Sequence, residues 1–456
     1  MHAGFVEIDG SSPSDIAAGV ARLITSGELA PGDRLPTVRA LAGQLGVSPA
    51  TVSQAWQALG RAGLLESRGR AGSFVRRRDT TWLPPRTQGL AGYLGDARLD
   101  LSRGTPDPTL LPDLSRALAR VSASADTPSY HDLPVLPELE RVLRDAWPNP
   151  VESITVVDGA LDAVSRTLET VVRFGDRVAV ENPGFPPFFD LLDALGAERV
   201  PVELDEGGVT PESLRAALDA RPSAFLLQPR AQNPTGVSLS VARAEALARV
   251  IRDHRNGADL VVIEDDHSGQ ISTAGDVSLG RWIPDRVVHV RSFSKSHGPD
   301  LRIAALGGPS AIVDRVVARR MLGPGWTSRM LQRILVDLLT DGQSIDEVAE
   351  ARRRYFSRQR ALATALATWG VEPSRSDGIN TWLPVHDERS ALVQLAAAGI
   401  RVAPGGPFFA TDAPGRHFVR VTVGLVRDGA PDVAAALAAA ALPTPPGVHS
   451  LEQRWA

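Results

Sequence analysis

One lysine is the residue in this chain best suited to covalent chemistry. Lys295 is the only lysine among 456 residues, so the other 48 of the 49 basic residues are arginines. An arginine stays protonated and cannot form an imine, whereas a lysine amine can lose its proton and attack an aldehyde. We therefore expect position 295 to need an amine, although a single lysine could also survive by chance in an arginine-rich chain.

Short apolar runs predict a sheet that could position this lysine. They cover residues 154–157, 178–180, 225–227, 260–263, 287–290 and 303–306. Helical or turn-rich segments separate several of them, which is typical of an α/β fold. Ligands of such folds collect beyond the carboxyl ends of the strands. We expect one such rim to hold the residues that follow four of the runs, namely Gly159 and Ala160, Asn233, Asp265, and Ser292 with Ser294 and Lys295.

These residue types suit a ligand that combines an aldehyde with a pyridine ring. Lys295 would form the imine, as an internal aldimine. Asp265 would pair with the pyridine nitrogen and keep it protonated, which makes the ring an electron sink. Asn233, in the sequence Asn-Pro-Thr-Gly, would bind the ring hydroxyl. Phe185 would stack on the ring, although an isolated phenylalanine is more often a core residue.

A phosphate group on the same ligand would also find partners. Gly159 and Ala160 open a predicted helix, whose amide groups and dipole favour an anion. Ser292, Ser294 and Arg302 would add two hydroxyls and a guanidinium. The cofactor that these residues predict is pyridoxal 5'-phosphate.

The first 76 residues predict a second kind of site. Their apolar spacing indicates three amphipathic helices, with Thr37 capping the second and Ser48 and Pro49 starting the third. A tight Gly-Val-Ser turn makes the second and third helices a helix-turn-helix, whose second helix enters the DNA major groove. A hairpin over residues 64–75 would be the wing. Six arginines and one glutamate between residues 61 and 78 make this region basic, although the whole chain carries a net charge of -4.

This unit resembles the GntR family of bacterial regulators. The pattern is GELAPGDRLPTVRALAGQLGVSPATVSQAWQALGRAGLLESRGRAGSFV over residues 27–75. The resemblance implies that Arg34 and Arg39 contact phosphates, that Ser48, Thr51 and Gln54 lie at or near bases, and that Arg68, Arg70 and Gly72 form the wing. A small helical protein-interaction domain is the alternative.

Composition also predicts the boundaries of the two units. Residues 77–99 contain charge, two adjacent prolines and no usable periodicity, which is typical of a linker. We expect an α+β winged helix-turn-helix domain over 1–76, a linker over 77–99 and an α/β domain over 100–445.

The second unit resembles fold-type I, class I aminotransferases. The motifs SFSKSHGPDLR and QNPTG carry the resemblance. It implies a pyridoxal-phosphate-binding domain with a smaller C-terminal α/β subdomain, in a homodimer whose active sites lie at the subunit interface. Joined to a GntR-like unit, this is the architecture of the MocR/PdxR-type regulators, which bind promoter DNA and include members that respond to vitamin B6 compounds or amino acids. A head-to-tail dimer is a further hypothesis.

Three more site residues come from this resemblance. Tyr130 would reach the neighbouring subunit's phosphate, and Arg420 would hold an effector carboxylate, although a lone arginine on a strand is more often a salt-bridge partner. His267 stands two positions after Asp265, where the family usually has tyrosine. It could still donate to the ring hydroxyl, and its titration near neutral pH could change the colour and reactivity of the imine.

Composition also argues against several kinds of protein, namely thiol enzymes, exported or membrane proteins and metalloproteins. The chain has no cysteine, so disulfides, thiol catalysis and cysteine-bound metals are excluded. The first ten residues lack a basic start and an apolar run, and no later run is long enough to cross a bilayer. The histidines show no metal-like spacing with carboxylates. We expect a cytoplasmic protein with no membrane association and no metal.

Three functions remain open at this point. The favoured one is a transcription regulator in which the cofactor, alone or joined to an amine effector, changes how the winged helices are presented to DNA. The second is a working aminotransferase with an appended DNA-binding domain. It differs because an enzyme must release a keto product and regenerate its starting state. The third is a DNA-binding protein whose large domain only dimerises it, which the retained Lys295 disfavours.

Overall fold

The predicted winged helix-turn-helix is present at the N-terminal end. The computed structural model describes residues 12–26, 28–61, 64–76, 83–90, 97–121, 129, 132–373 and 376–442. The N-terminal unit consists of α1 (Pro13–Ser26), α2 (Val38–Leu45), α3 (Pro49–Arg61), β1 (Leu65–Ser67) and β2 (Ser73–Val75). The strands β1 and β2 pair antiparallel, with Glu66 opposite Phe74, and form the wing.

Local capping explains where these helices begin and end. The Thr37 hydroxyl accepts a hydrogen bond from the Ala40 amide at 3.2 Å, and the Ser48 hydroxyl accepts one from the Thr51 amide at 3.1 Å. Gly46 ends α2 with a φ of 65°, a left-handed conformation that glycine adopts without steric cost. The apolar face of α3 is buried in the core of this unit, through Val52, Ala55, Trp56 and Leu59.

All six predicted strands lie in one eight-stranded sheet. Its order is β4-β11-β10-β9-β8-β5-β6-β7, where β7 and β11 run antiparallel to their neighbours. The strands are β4 (Ser153–Val157), β5 (Arg177–Asn182), β6 (Glu198–Asp205), β7 (Gly208–Val209), β8 (Ala224–Leu227), β9 (Val261–Asp266), β10 (Val287–Ser292) and β11 (Ala304–Gly308).

Helices cover both faces of this sheet, which explains the uninterrupted apolar runs. Leu226 packs into the cluster formed with α7, α8 and α11, whereas its neighbours Phe225 and Leu227 pack with α9 and α10 on the other face. The helices of this part are α5 (Leu114–Val121), α6 (Pro137–Asp145), α7 (Ala160–Val171), α8 (Pro186–Leu195), α9 (Pro211–Asp219), α10 (Val241–Asp253), α11 (Ser310–Met321) and α12 (Arg329–Thr340).

A smaller α/β subdomain completes the fold, as the resemblance implied. Its sheet has the order β12-β14-β13-β3, and it packs against α13, α14 and α15. Its elements are β3 (Leu99–Leu101), α13 (Gly342–Ala367), β12 (Thr381–Pro384), α14 (Glu388–Ala397), β13 (Ile400–Pro404), β14 (Phe418–Val421) and α15 (Ala430–Ala441). Within the described residues, no helix combines the length and apolar character that a membrane span requires.

The expected linker contains more structure than its composition indicated. Residues Pro85–Gly89 form a short helix, α4. The amides of Arg86 and Thr87 each donate to an oxygen of Asp190 on α8 at 3.2 Å, so α4 is fixed to the large unit. Strand β3 begins at Leu99 and pairs in parallel with β13, one residue before the predicted start of the second domain.

Candidate functional site

Parallel strands bring the predicted site residues to one rim. Asp265 lies in β9, and the parallel register places it opposite Val290 of β10. Ser292 is the last residue of β10, so Lys295 follows three residues beyond the strand. Gly159 caps α7 directly after β4. The chain order of the apolar runs therefore correctly placed this group of residues.

Lys295 has the protonation behaviour that imine formation needs. Its Nζ donates to the backbone oxygen of Gly104 at 2.5 Å. Burial and the nearby Arg420 guanidinium lower the pKa of Lys295 to about 8, against the opposing effect of Asp265. A larger fraction of this amine is therefore neutral near pH 7 than for an ordinary lysine, and the neutral amine is the nucleophile.

Asp265 leaves one carboxylate oxygen open for a ligand. Its Oδ2 accepts a hydrogen bond from Gln228 Nε2 at 2.8 Å, whereas its buried Oδ1 has no hydrogen-bond partner among the described residues. Burial raises the pKa of Asp265. Buried polar atoms in native proteins are rarely left unpaired, so an N–H donor on a bound group fits this oxygen. A protonated pyridine nitrogen is such a donor.

His267 has a matching open atom. Its Nδ1 lies 2.8 Å from the Ser268 hydroxyl, and its buried Nε2 has no partner in the described part of the chain. This nitrogen can serve a ring hydroxyl, as expected. Burial lowers the pKa of His267, although Asp265 opposes the shift. Burial therefore favours the neutral imidazole and shifts the expected titration toward lower pH, so the effect of His267 on the cofactor stays a prediction.

Gln228 is a site residue that sequence reasoning missed. Besides donating to Asp265, its Oε1 accepts a hydrogen bond from the Asn233 amide at 2.8 Å. One buried side chain thus fixes both the predicted partner of the ring nitrogen and the predicted partner of the ring hydroxyl. No motif marks this residue, and only its place directly after β8 could have suggested it.

Replacing Gln228 by leucine is expected to impair this site. Asp265 Oδ2 and the Asn233 amide would both lose a buried partner, at a cost of about 1–3 kcal/mol each. We expect at least tenfold weaker binding of pyridoxal phosphate, measured by fluorescence titration. Gln359→Leu is the matched control, since Gln359 is a buried glutamine of α13 that bonds Asn380 and Thr381 instead. Equal cofactor affinity in the two variants would contradict the role of Gln228.

Arg420 is buried beside these residues and has no carboxylate partner among the described residues. Its Nη1 donates to Asn233 Oδ1 at 3.4 Å, another nitrogen donates to the Ser102 backbone oxygen, and Nε is unpaired. Burial lowers the pKa of Arg420 to about 10. A Cβ atom at Gly104, which has a φ of 63°, would lie 2.7 Å from Arg420 Nη1, so a larger residue there would require the guanidinium to move. Among the described residues, Arg420 therefore has no ion-pair partner of the ordinary kind, and its role toward an effector stays a prediction.

The residues predicted for the phosphate form a second group. Gly159 adopts a φ of 109°, and a Cβ atom there would lie 2.7 Å from Arg302 Nη2. That guanidinium is exposed and donates to the Asp158 backbone oxygen at 2.9 Å. Ala160 is the first residue of α7, and the Ser294 amide donates to the Ser292 hydroxyl at 3.3 Å. This arrangement leaves the Ser292 O–H free to donate to an anion.

Two predicted residues are less closely tied to the site. Phe185 caps α8, and its ring packs edge-to-face on Phe188 with centroids 5.1 Å apart. Stacking on a cofactor ring stays a prediction for it. Tyr130 lies outside the residues that the structure describes.

The residues predicted to contact DNA lie on the helix-turn-helix, beside it and on the wing. Arg39 on α2 and Gln54 on α3 are exposed, and Thr51 is partly exposed. Ser48 caps α3, so its hydroxyl already has an intramolecular partner. Arg68 bonds Glu66 and lies over the Phe74 ring at 4.7 Å.

Arg34, which was expected to contact phosphate, lies beside Gly72 of the wing. The backbone of Arg34 forms an isolated antiparallel β-bridge with Phe74. The Arg34 Nε would lie 3.2 Å from a Cβ atom at Gly72. The side chain of Arg70 lies outside the described part of the structure.

A second buried histidine, His297, is expected to make stability depend on pH. His297 follows Lys295 by two residues, and burial lowers its pKa to about 4. Between the usual pKa of about 6.5 and this value, the unfolded chain binds a proton that the folded chain does not, so stability falls as the pH falls. From pH 7 to pH 5 this group removes about 2 kcal/mol from the free energy of unfolding. Urea titrations should show a smaller loss in His297→Gln, and identical losses would contradict the assignment.

Known families match both units. The description "Bacterial regulatory proteins, gntR family" covers residues 14–75, and "Aminotransferase class I and II" covers residues 97–437. The vitamin B6 salvage pathway transcriptional repressor PtsJ of Salmonella typhimurium is 38% identical over 430 residues, which cover 92% of this chain and 96% of that protein. The pyridoxine biosynthesis transcriptional regulator PdxR of Corynebacterium glutamicum is 30% identical over 370 residues, covering 78% of this chain and 79% of that protein.

Solved structures share the fold of the large unit. The α-aminoadipate aminotransferase LysN of Thermus thermophilus matches with a TM-score of 0.66 and 22% identity, over 74% of this chain and 92% of that one. The fold is therefore a winged helix-turn-helix joined to a fold-type I aminotransferase-like domain. The chain belongs to the MocR/PdxR-type subfamily of GntR transcription regulators. It is an HTH-type transcription regulator, as its sequence predicted.

Proposed function

We propose that this regulator binds pyridoxal 5'-phosphate through Lys295 and changes its affinity for promoter DNA when the cofactor or an amine effector is bound. The observation that carries the proposal is the pair of open, buried atoms beside the lysine, Asp265 Oδ1 and His267 Nε2. Asp265 Oδ1 suits the protonated nitrogen of a pyridine ring, and His267 Nε2 suits a hydroxyl group on that ring. Further support comes from the cofactor dependence of the class I aminotransferase family and from the vitamin B6 pathways named for PtsJ and PdxR.

Each residue has a defined task in this proposal. Bound cofactor would supply a reactive aldehyde, and Lys295 would hold it covalently. Asp265 would keep a proton on the ring nitrogen, and His267 with Asn233 would orient the ring hydroxyl. Arg420, buried without a carboxylate partner among the described residues, would hold the carboxylate of an amino-acid effector.

The phosphate would lie at the start of α7. Gly159, Ala160, Ser292, Ser294 and Arg302 would bind it there. Phe185 would stack on the ring. Tyr130 would reach the phosphate of the neighbouring subunit.

The assembly belongs to the same proposal. Two chains would form a head-to-tail homodimer in the cytoplasm. The DNA-binding domain would span residues 1–76 and the cofactor domain residues 100–445, joined by the linker at 77–99.

Duplex DNA selected from a random library by the full-length protein would test this function. The dissociation constant of the selected DNA should change by about fivefold or more when pyridoxal phosphate is added, which is the lower end of usual coupling between sites. An unchanged constant, at cofactor concentrations that saturate the protein, would contradict the regulatory coupling.

A working aminotransferase is the second candidate. The lowered pKa of Lys295 and the buried Arg420 favour it, because transamination needs a neutral amine and a carboxylate site. A keto-product assay with an excess of amino acid distinguishes the two functions. Sustained turnover would indicate an enzyme, whereas a single equivalent of product or none would favour the regulator.

A further inference from the structure

A cavity of about 310 Å³ lies beside the segment that carries Lys295. Its walls come from α6, α12 and the start of α13, together with Phe293 and His297, which stand two residues before and after the lysine. Its volume is that of a small-molecule site. None of the residues that line it belongs to the proposed cofactor site.

Most of the lining is apolar, including Leu143, Leu338 and Val348. These side chains offer a surface for an aliphatic or aromatic group. Water would be poorly held against them, so an apolar ligand group would gain free energy by displacing it.

One wall carries a buried cation with open hydrogen-bonding capacity. Arg291 is 6% exposed, and it donates no hydrogen bond to any residue of the described chain. Arg291 forms an ion pair with Asp276 at 3.8 Å, beyond hydrogen-bond distance, and Asp276 is held more closely by Arg230. The buried Asp266 is a second carboxylate near Arg291, and it also makes no hydrogen bond with it. The guanidinium carbon of Arg291 lies over the Trp147 ring, 5.3 Å from the ring centroid. A guanidinium in this state favours a carboxylate.

Two further polar residues indicate which polar groups a ligand of this cavity would carry. Gln270 lines the cavity, and its buried Oε1 has no donor among the described residues. Arg352 at the same cavity donates to the Gln270 backbone oxygen at 2.7 Å. The lining therefore holds two arginines and one open acceptor, with no aspartate or glutamate. A molecule that bears a carboxylate, one O–H or N–H donor and an apolar group complements this set.

We propose that this cavity is a second small-molecule site, which binds an apolar hydroxy or amino acid with its carboxylate on Arg291. The site is independent of the covalent chemistry at Lys295. Because Phe293 and His297 flank the lysine, an occupant would contact the same loop that holds the cofactor lysine.

The probe is 2-hydroxy-4-methylpentanoate, titrated by calorimetry into the full-length protein. A hydroxy acid has no amine, so it cannot condense with an aldehyde at Lys295. We expect saturable binding of one molecule per chain. Arg291→Gln should weaken it by about tenfold or more, since a charged hydrogen bond is lost. The neutral amide of the same acid should bind the wild type weakly and show no further loss in Arg291→Gln.

Three other variants separate the possible outcomes. Ala349→Leu fills the cavity without removing a buried charge and should block the probe, so a folding defect in Arg291→Gln does not decide the test. Lys295→Ala should still bind the probe, which keeps this inference distinct from the proposed cofactor function. Loss of binding in Arg420→Gln but not in Arg291→Gln would place the probe at the cofactor site and overturn the proposal. So would the absence of binding to the wild type.

Discussion

Lys295→Ala is expected to abolish covalent attachment of pyridoxal phosphate. No other lysine is present in the chain, so no second side-chain amine can replace it. The wild-type protein, reduced with borohydride after cofactor addition, should gain one stable adduct at residue 295, measured by peptide mass spectrometry. The variant should gain none, and its visible absorption should be that of the free cofactor.

Lys295→Arg is the matched control for the charge. It keeps a cation at this position but cannot form an imine, so it should fail in the same way as alanine. The change in DNA affinity on cofactor addition should be lost in both variants. A stable adduct elsewhere in the chain, or an intact DNA response in both variants, would contradict the proposed role of Lys295.

Arg39→Ala and Gln54→Ala are expected to weaken DNA binding in different ways. Arg39 lies exposed on α2, and removing a phosphate contact should weaken binding to every sequence and reduce the salt dependence by about one ion. Gln54 lies exposed on α3, and removing a base contact should cost about 1–3 kcal/mol on the preferred sequence only. Fluorescence anisotropy at several salt concentrations, on selected and scrambled duplexes, measures both effects.

Arg249→Ala is the control for a change in net charge. Arg249 lies on α10 of the large unit, is exposed, and pairs with Glu245 at 3.2 Å. It should leave both affinities unchanged. If Gln54→Ala weakened binding to selected and scrambled DNA equally, α3 would not be reading bases through this side chain.

Much of the site could be predicted because its residues follow strands. A buried parallel strand appears in the sequence as an apolar run, and its carboxyl end is then known from chain direction alone. This is why Asp265, Ser292 and Lys295 were placed correctly. The capping residues Thr37 and Ser48 were equally local signals, since each bonds an amide three residues away.

Contacts between distant segments could not be predicted in this way. Gly104 bonds Lys295 across 191 positions, and nothing in the local sequence connects the two. Gln228 has no charge and belongs to no motif, so only its buried contacts mark it. The lowered pKa of His267 depends on the burial of its side chain, which a sequence pattern does not reveal. The short helix α4 is held by Asp190, a tertiary contact that its proline-rich sequence does not reveal.

Residues 99–104 connect the small sheet to Lys295 and Arg420 through backbone contacts. This segment lies at the start of the aminotransferase-like domain, and β3 anchors it to the sheet of the smaller subdomain. Its carbonyl oxygens at Ser102 and Gly104 accept hydrogen bonds from Arg420 and Lys295. A ligand that took over either donor would remove one of these two hydrogen bonds, so binding at the candidate site would loosen the backbone that follows β3.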